Sequence, residues 1–252
     1  MCMRVISLAP SATEILFALG CGSQIIARTT FCDYPEAARK IPTIGSWLSP
    51  NIEKIKQLKP DIIFTSTIVQ EKLAEKLRAE GLPVHHSDPR TLNAVLGSIV
   101  QIGKVLDKKE TAEKLIGKMK NDFDALSKSA KGRKRKRVYI EEWHNPPFIS
   151  GNWVPDMVSL ANLHCPPFIK SGIPSKTFAL RDIQSFNPEA IVFSICGFGD
   201  RFNKEQVYHR KGWEDIGAIK QNRIFVIDDS LLNRPGPRLC IGLKKLIELA
   251  SL

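Results

Sequence analysis

The chain has 252 residues, 43% of them hydrophobic and 25% charged, ordinary globular values that allow one large domain or two lobes of usual size and predict a soluble fold. Lys and Arg number 37 against 26 Asp and Glu, a net charge of +11, which raises nucleic acid, acidic lipid and anionic ligands as partners. Much of the excess lies in one run, Lys131 and Arg133 to Arg137, read as a solvated link; no RNP-like, zinc-finger or helix-turn-helix pattern supports a nucleic-acid partner.

The first element is a short apolar run, Arg4 to Leu8, that reads as a buried strand. Pro10 to Glu14 follows at once. Ser11 with Glu14 has the form of a capping box, Ile15, Leu16 and Leu19 supply an apolar face, and Gly20 with Gly22 close the helix. Further strands are expected at Gln24 to Arg28, Asp61 to Thr65 and Pro83 to His86, separated by helices at Asn51 to Gln57 and Gln70 to Glu80. One long helix is expected from Asp107 to about Ser129. Its apolar residues Ala112, Leu115, Ile116, Met119, Phe123 and Leu126 recur at steps of three and four, and Asp107 with Glu110 has the D-x-x-E form of a cap. At 1.5 Å per residue it is a rod of roughly 30 Å, long enough to tie two lobes together.

The same grammar then resumes, with strands at Val138 to Glu142, Ala190 to Ser194 and Arg223 to Ile227 and helices at Val154 to Ala161, Leu180 to Ser185 and Leu239 to Ala250. Strands alternating with helices imply parallel sheets covered on both faces, whose ligands sit beyond the carboxyl ends of the strands. The fold expected is therefore α/β, two Rossmann-like lobes at 1–106 and 131–252 joined by one backbone helix at 107–130. One stretch repeats across the lobes. Glu53 to Phe64 and Arg181 to Val192 each place an Ile five residues before a Pro, an acid after it, and then an apolar strand. The Pro stops a helix and the acid starts the turn into the strand.

Cys2, Cys21, Cys32, Cys165, Cys196 and Cys240 show no C-x-x-C and no compact spacing, and read as mostly buried free thiols in a reducing compartment. The first twenty residues, MCMRVISLAPSATEILFALG, lack the basic region, apolar core and cleavage site of a signal peptide, so a cytoplasmic location is expected, with an extracytoplasmic one as the alternative if export information lies outside this sequence. No apolar run approaches the length of a membrane span. The five histidines contain neither H-x-x-x-H nor H-E-x-x-H, and there is no phosphate loop, no G-x-S-x-G elbow and no matched carboxylate pair. A non-catalytic protein without a catalytic cofactor or protein-bound metal is expected.

The motif series SLAPSATEILFALG (Ser7 to Gly20), FCDYPEAARKIPTIGSW (Phe31 to Trp47), NIEKIKQLKPDIIF (Asn51 to Phe64), NPPFISG (Asn145 to Gly151), GWEDIGAIKQNRIFVID (Gly212 to Asp228) and NRPGPRL (Asn233 to Leu239) runs in order over nearly the whole chain. It resembles the class III, helical-backbone substrate-binding proteins of ABC importers, and within them the cobalamin-binding branch. The resemblance implies two α/β lobes bridged by a rigid helix, ligand held between them, and small closure on binding. It also implies a corrinoid such as cobalamin as ligand, an ABC permease as partner, and a monomer.

A corrinoid is a broad, mostly apolar disc with amide edges, so its site wants aromatic walls and a few hydrogen-bonding groups. By the resemblance, Ser11, Phe31, Trp47 and Phe148 match ligand-contact positions and Arg234 a polar contact from the far lobe. Ser66 and Ser175 stand where cobalamin binders can carry Trp, and Ser230 where an acid can occur. Trp143, His144 and Trp153 flank the NPPF motif and are candidates to rebuild the wall; His144 is also a candidate ligand for the metal of a corrinoid or chelate. Phe31 and Phe148 fit either a ligand wall or packing under a lobe. Arg234 fits either ligand contact or a loop-fixing salt bridge.

The resemblance further implies one exposed Glu on each lobe that meets arginines of the permease. Glu53 keeps it on the first lobe, whereas the second has Arg181, with Asp182 beside it as the available acid. A repulsive contact in place of an attractive one weakens docking, which makes an intracellular corrinoid storage or delivery protein one alternative. A class III binder of a siderophore or iron chelate is the other, resting on Arg201, Arg210 and Arg234 as anion donors.

Overall fold

The computed structural model describes residues 3–250, and its strands fall into two four-stranded sheets. The first holds β1 (Val5–Ser7), β2 (Ile25–Arg28), β3 (Ile62–Ser66) and β4 (Val84–Ser87) in the order β2-β1-β3-β4, all parallel. The second holds β5 (Val138–His144), β6 (Pro147–Ile149), β7 (Ala190–Phe193) and β8 (Ile224–Val226) in the order β6-β5-β7-β8. Replacing β1 to β4 by β5 to β8 converts one order into the other, so the lobes repeat one topology. They differ at one edge. β6 runs antiparallel to β5, a three-residue edge strand added to a sheet whose other pairs are parallel: only Asn145 and Pro146 separate the two strands, and so short a connection can join only antiparallel neighbours.

The repeated stretch occupies the same place in both lobes. It forms helix α2 (Ile52–Gln57) leading into β3, and helix α7 (Leu180–Phe186) leading into β7. The residue before each Pro, Lys59 and Asn187, sits at φ 45. The acid after each Pro does more than start a turn. Asp61 accepts the Arg4 backbone N–H at 2.7 Å and Glu189 that of Arg137 at 3.0 Å, just before β1 and β5. The same two arginines return the contact, donating side-chain N–H groups to the Leu58 carbonyl at 2.7 Å and to the Asn187 carbonyl at 2.9 Å. Each pair thus ties a helix end to the start of a central strand and satisfies carbonyls that the helix leaves open.

The sheets are buried as parallel sheets must be. Ile6, Leu8, Ala27, Ile55, Ile63 and Leu77 form the first core, and Tyr139, Ile183, Ile191, Phe193, Trp213 and Ile224 belong to the second. Helix α1 (Pro10–Ala18) takes Pro10 at its first position with Ala9 as N-cap and no side-chain cap, so the expected Ser11–Glu14 capping box does not form; both residues are buried. Its far end is as expected. Gly20 at φ 75 donates to Phe17 and Cys21 to Leu16, the paired bonds of a Schellman motif.

Helix α3 spans Glu71–Ala79, and helix α4, Leu92–Val105, lies in a stretch for which no element was expected, although Leu92, Val95, Leu96, Ile99 and Ile102 recur at helical spacing and are all buried. The long helix α5 runs Lys109–Ala130, with Ala112, Met119 and Phe123 buried. Asp107 stands outside it at φ 54, one residue too early to cap it. By contacts the chain divides into one unit running through Pro89 together with Leu96–Lys118, and a second made of Arg90–Val95 and everything from Met119 onward. The second unit carries α6 (Val154–Leu160), α7, α8 (Gly217–Lys220), α9 (Asp229–Leu232) and α10 (Leu239–Ala250). The basic run is bound down within this unit: Arg133 donates to the Ile247 carbonyl, Arg135 to that of Leu163 and Arg137 pairs with Glu189.

Candidate ligand-binding site

In the first unit, the segments at the carboxyl ends of the strands are held together by one side chain that nothing in the sequence reading singled out. Gln70 is fully buried. Its Oε1 accepts the Ser66 N–H at 2.9 Å at the end of β3, and its Nε2 donates to the Leu8 carbonyl at 3.0 Å after β1 and to the Trp47 carbonyl at 2.8 Å. The Trp47 loop is closed by a bridge between Gly45 and Pro50. Gly45 sits at φ 122, and a Cβ there would lie 2.7 Å from the Ser49 carbonyl oxygen, so only glycine fits.

Around this clamp the loops present apolar groups to solvent. Phe31 is 44% exposed, Leu48 53%, Ile68 44% and Val69 50%; Trp47 is half-buried, with its Nε1 buried and without an acceptor. Ser11 is buried at the start of α1, and Ser66 is buried at the end of β3. His85 and His86 turn to opposite faces as expected, His85 against Phe64 and Ser87, His86 onto Thr65 at 2.9 Å, and burial pushes both imidazoles below their usual range.

In the second unit, β5 delivers Glu141, Glu142, Trp143 and His144 to the carboxyl end of its sheet. Trp143 is 43% exposed and stands opposite Phe148 in the β5–β6 register, so the structure brings these two aromatics onto one face. His144 packs against Phe198 and Phe202, each with ring centroids 5.4 Å away, and its Nδ1 is buried without a partner. Trp153 is not part of this wall. It is 4% exposed and donates its Nε1 to the Leu232 carbonyl at 2.8 Å, which makes it a core residue and removes it from the ligand set. Arg234 is half-buried in the loop after α9, where its charge favours the ionised form of Asp229.

Neighbouring carboxylates on β5 have opposite circumstances. Glu141 is fully buried and receives both Arg210 guanidinium nitrogens at 2.6 Å and the Tyr139 hydroxyl at 2.6 Å; Arg210 in turn lies over the Trp213 and Phe193 rings. That use of Arg210 takes it out of the anion-donor set of the iron-chelate alternative, leaving Arg201, which is exposed, and Arg234. Glu142 faces the other way. Burial pushes its carboxyl up to about 7, opposed by a hydrogen bond from Ser175. Ser175, where cobalamin binders can carry Trp by the resemblance, is engaged with Glu142 and with the Gly151 N–H at 2.8 Å.

Beyond β7, Asp229 accepts the Gly197 and Gly199 N–H groups at 3.2 and 2.8 Å, and burial raises its carboxyl. Asn233 donates to the Ser194 carbonyl at 2.6 Å and to Cys196 Sγ at 3.3 Å. The Cys196 thiol is pushed up to about 12 by burial and by the charges of Glu142 and Asp229. Gln70 and Glu142 are candidate site positions absent from the sequence-based set. Glu142 had a signal, a second acid closing an otherwise apolar strand run; Gln70 had none. Among the described residues no cluster of three His, Cys, Asp or Glu side chains is placed to hold a metal ion, and no helix is long and apolar enough to cross a membrane.

The proposed docking residues stand at matching places. Glu53 and Arg181 are each the second residue of their helices, with side chains 76% and 87% exposed. Glu53 pairs with Lys56 at 3.3 Å, and Asp182 accepts the Ala179 N–H at 3.3 Å.

Two parallel-sheet α/β lobes of one topology, with apolar and polar groups gathered at the carboxyl ends of the strands, define the fold of a solute-binding protein. Residues 5–231 match the family described as periplasmic binding protein, and the chain belongs to that family. Over 97% of its length it is 29% identical to an uncharacterized ABC transporter substrate-binding lipoprotein, YvrC, of Bacillus subtilis (strain 168), covering 79% of that protein. Over 96% it is 28% identical to the vitamin B12-binding protein of Pectobacterium carotovorum subsp. carotovorum (strain PC1), covering 86% of it. Among solved structures, a possible iron-binding (periplasmic solute-binding) protein from Staphylococcus epidermidis matches with a TM-score of 0.84 and 26% identity over 100% of both chains.

These relatives correct the expected location. The family is one of periplasmic binding proteins and YvrC is a lipoprotein, so a cytoplasmic, reducing setting is not what this chain's relatives occupy. The expectation rested on an absence in the first twenty residues, and such an absence has no weight against a family match spanning residues 5–231.

Proposed function

We propose that this protein is the ligand-binding component of an ABC import system and that its ligand is a corrinoid. The observation that carries the reading is the set of apolar groups on the carboxyl-end loops of the first unit, with Phe31, Leu48, Ile68 and Val69 exposed and Trp47 half-buried; the second unit by itself carries Trp143 and Phe148 on one face. A soluble domain leaves so many large apolar groups on loops where they meet an apolar partner, and the disc of a corrinoid is such a partner. Identity to a vitamin B12-binding protein over nearly the whole chain supports the choice. The ligand set proposed is Ser11, Phe31, Trp47, Trp143, His144, Phe148 and Arg234.

The second reading is an iron porphyrin or iron chelate. His144 favours it, because its buried Nδ1 has no partner and a neutral imidazole is a good iron ligand; the likeness to a possible iron-binding protein points the same way. Titration of the purified protein with cyanocobalamin and with cobinamide, followed by calorimetry, decides between them. One-to-one binding at micromolar or tighter affinity is expected on the corrinoid reading, with Trp47→Ala weakening it about tenfold or more at an unchanged melting temperature. No heat with either corrinoid, from folded protein, transfers the weight to the iron ligands.

A further inference from the structure

Around Glu142, at the carboxyl end of the second sheet, lie Ser194, Cys196, Asp229 and Asn233. Glu141 and Phe193 are the last register partners of β5 and β7; beyond them the Ser194 N–H donates to the Glu141 carbonyl at 2.8 Å and the Cys196 N–H to the Glu142 carbonyl at 3.0 Å, which keeps Glu142 beside the segment from Ser194 to Cys196. Glu141 has its cation in Arg210. Among the described residues no cation pairs with Glu142, whose carboxyl is set by burial and the Ser175 hydroxyl. Ser194 is fully buried, and its Oγ has no partner. Asn233 has spent its amide nitrogen on Ser194 and Cys196, leaving Oδ1 buried without a donor. Cys196 lies within the fields of both Glu142 and Asp229. Arg234, beside Asp229, is the neighbouring cation.

Unpaired acceptors in partly buried surroundings favour a ligand edge that donates hydrogen bonds and carries no negative charge. We infer that Glu142, the half-buried member of this group, with Ser194, Asn233 and Asp229 packed behind it, forms a specificity subsite that accepts hydrogen bonds from primary amide groups on the edge of a tetrapyrrole and turns away carboxylate edges. The inference rests on the tetrapyrrole reading and deepens it. Corrinoids carry amides around the ring, and haem carries two propionates. Ring size and apolar area are similar, so apolar contact cannot separate the two classes; a like charge beside Glu142 can.

The test compares cyanocobalamin, hemin and the dimethyl ester of hemin, titrated at pH 8 into the wild type and into Glu142→Gln. The wild type is expected to prefer cyanocobalamin to hemin, and to bind the ester more tightly than hemin itself. Glu142→Gln, close in shape and uncharged, should narrow the cyanocobalamin-to-hemin ratio by roughly tenfold or more, chiefly by gaining hemin. An unchanged ratio in the variant, or equal binding of hemin and its ester by the wild type, overturns the subsite and leaves the corrinoid reading standing. Failure of the wild type to bind any of the three overturns both. The esterified ligand keeps the test decisive if the variant folds poorly.

Discussion

Glu142 departs from its neighbour Glu141 in a way that stability measurements can read. A glutamate in the unfolded chain titrates at about 4.5, and burial in the fold moves Glu142 to about 7. Between those values the folded state holds a proton that the unfolded state has released, so the contribution of Glu142 to stability is fully present below pH 4.5, falls as pH rises through the interval, and does not recover above 7. Replacing the carboxyl with an amide removes that dependence. Glu142→Gln is therefore expected to melt at a higher temperature than the wild type at pH 8, with the gap closing toward pH 5; equal melting temperatures at pH 8 would show that the folded protein ionises Glu142 at no cost. Glu141 is held differently: removing Arg210 leaves its buried carboxylate without a counter-charge, and the contacts of Arg210 over the Trp213 and Phe193 rings are lost with it.

Elements show why part of the site was legible and part was not. Strands β1, β3, β5 and β7 are short apolar runs bounded by turn residues, and α5 carries a stripe at helical period, so the scaffold follows from local pattern. The Trp47 loop was legible for the same reason, since Gly45 and Pro50 bracket a large aromatic that no periodic element absorbs. The β6 hairpin was not, because Pro147–Ile149 is three residues long and gains its strand character only by pairing with β5. Gln70 was invisible because its role is non-local: Leu8, Trp47 and Ser66 meet at one amide only after the sheet has formed. A leucine at position 70 should cost about 1–3 kcal/mol, since it strands buried backbone groups, and should also weaken ligand binding by freeing the Trp47 loop. A fall in melting temperature with unchanged affinity would separate the clamp from the site and leave Gln70 as structure alone.

At the scale of the molecule, the two lobes are one topology used twice, and the repeat converts a local substitution into a statement about partners. Helices α2 and α7 enter β3 and β7 in the same way, and each exposes its second residue, Glu53 on one lobe and Arg181 on the other. A permease that presents cations to both lobes meets attraction at the first and repulsion at the second. The nearby acid compensates little, because Asp182 is engaged with the Ala179 N–H and lies 4.0 Å from Arg181 itself. Arg181→Glu restores the symmetry and is expected to tighten docking to a reconstituted vitamin B12-importing permease several-fold at low ionic strength, with the gain shrinking as salt is added. Such a gain would mean that the wild type docks weakly to that class of permease or pairs with one whose charges are reversed at this corner. Equal docking by the two proteins at low salt would mean that α7 lies outside the interface, and that Arg181 reports on solubility rather than on a partner.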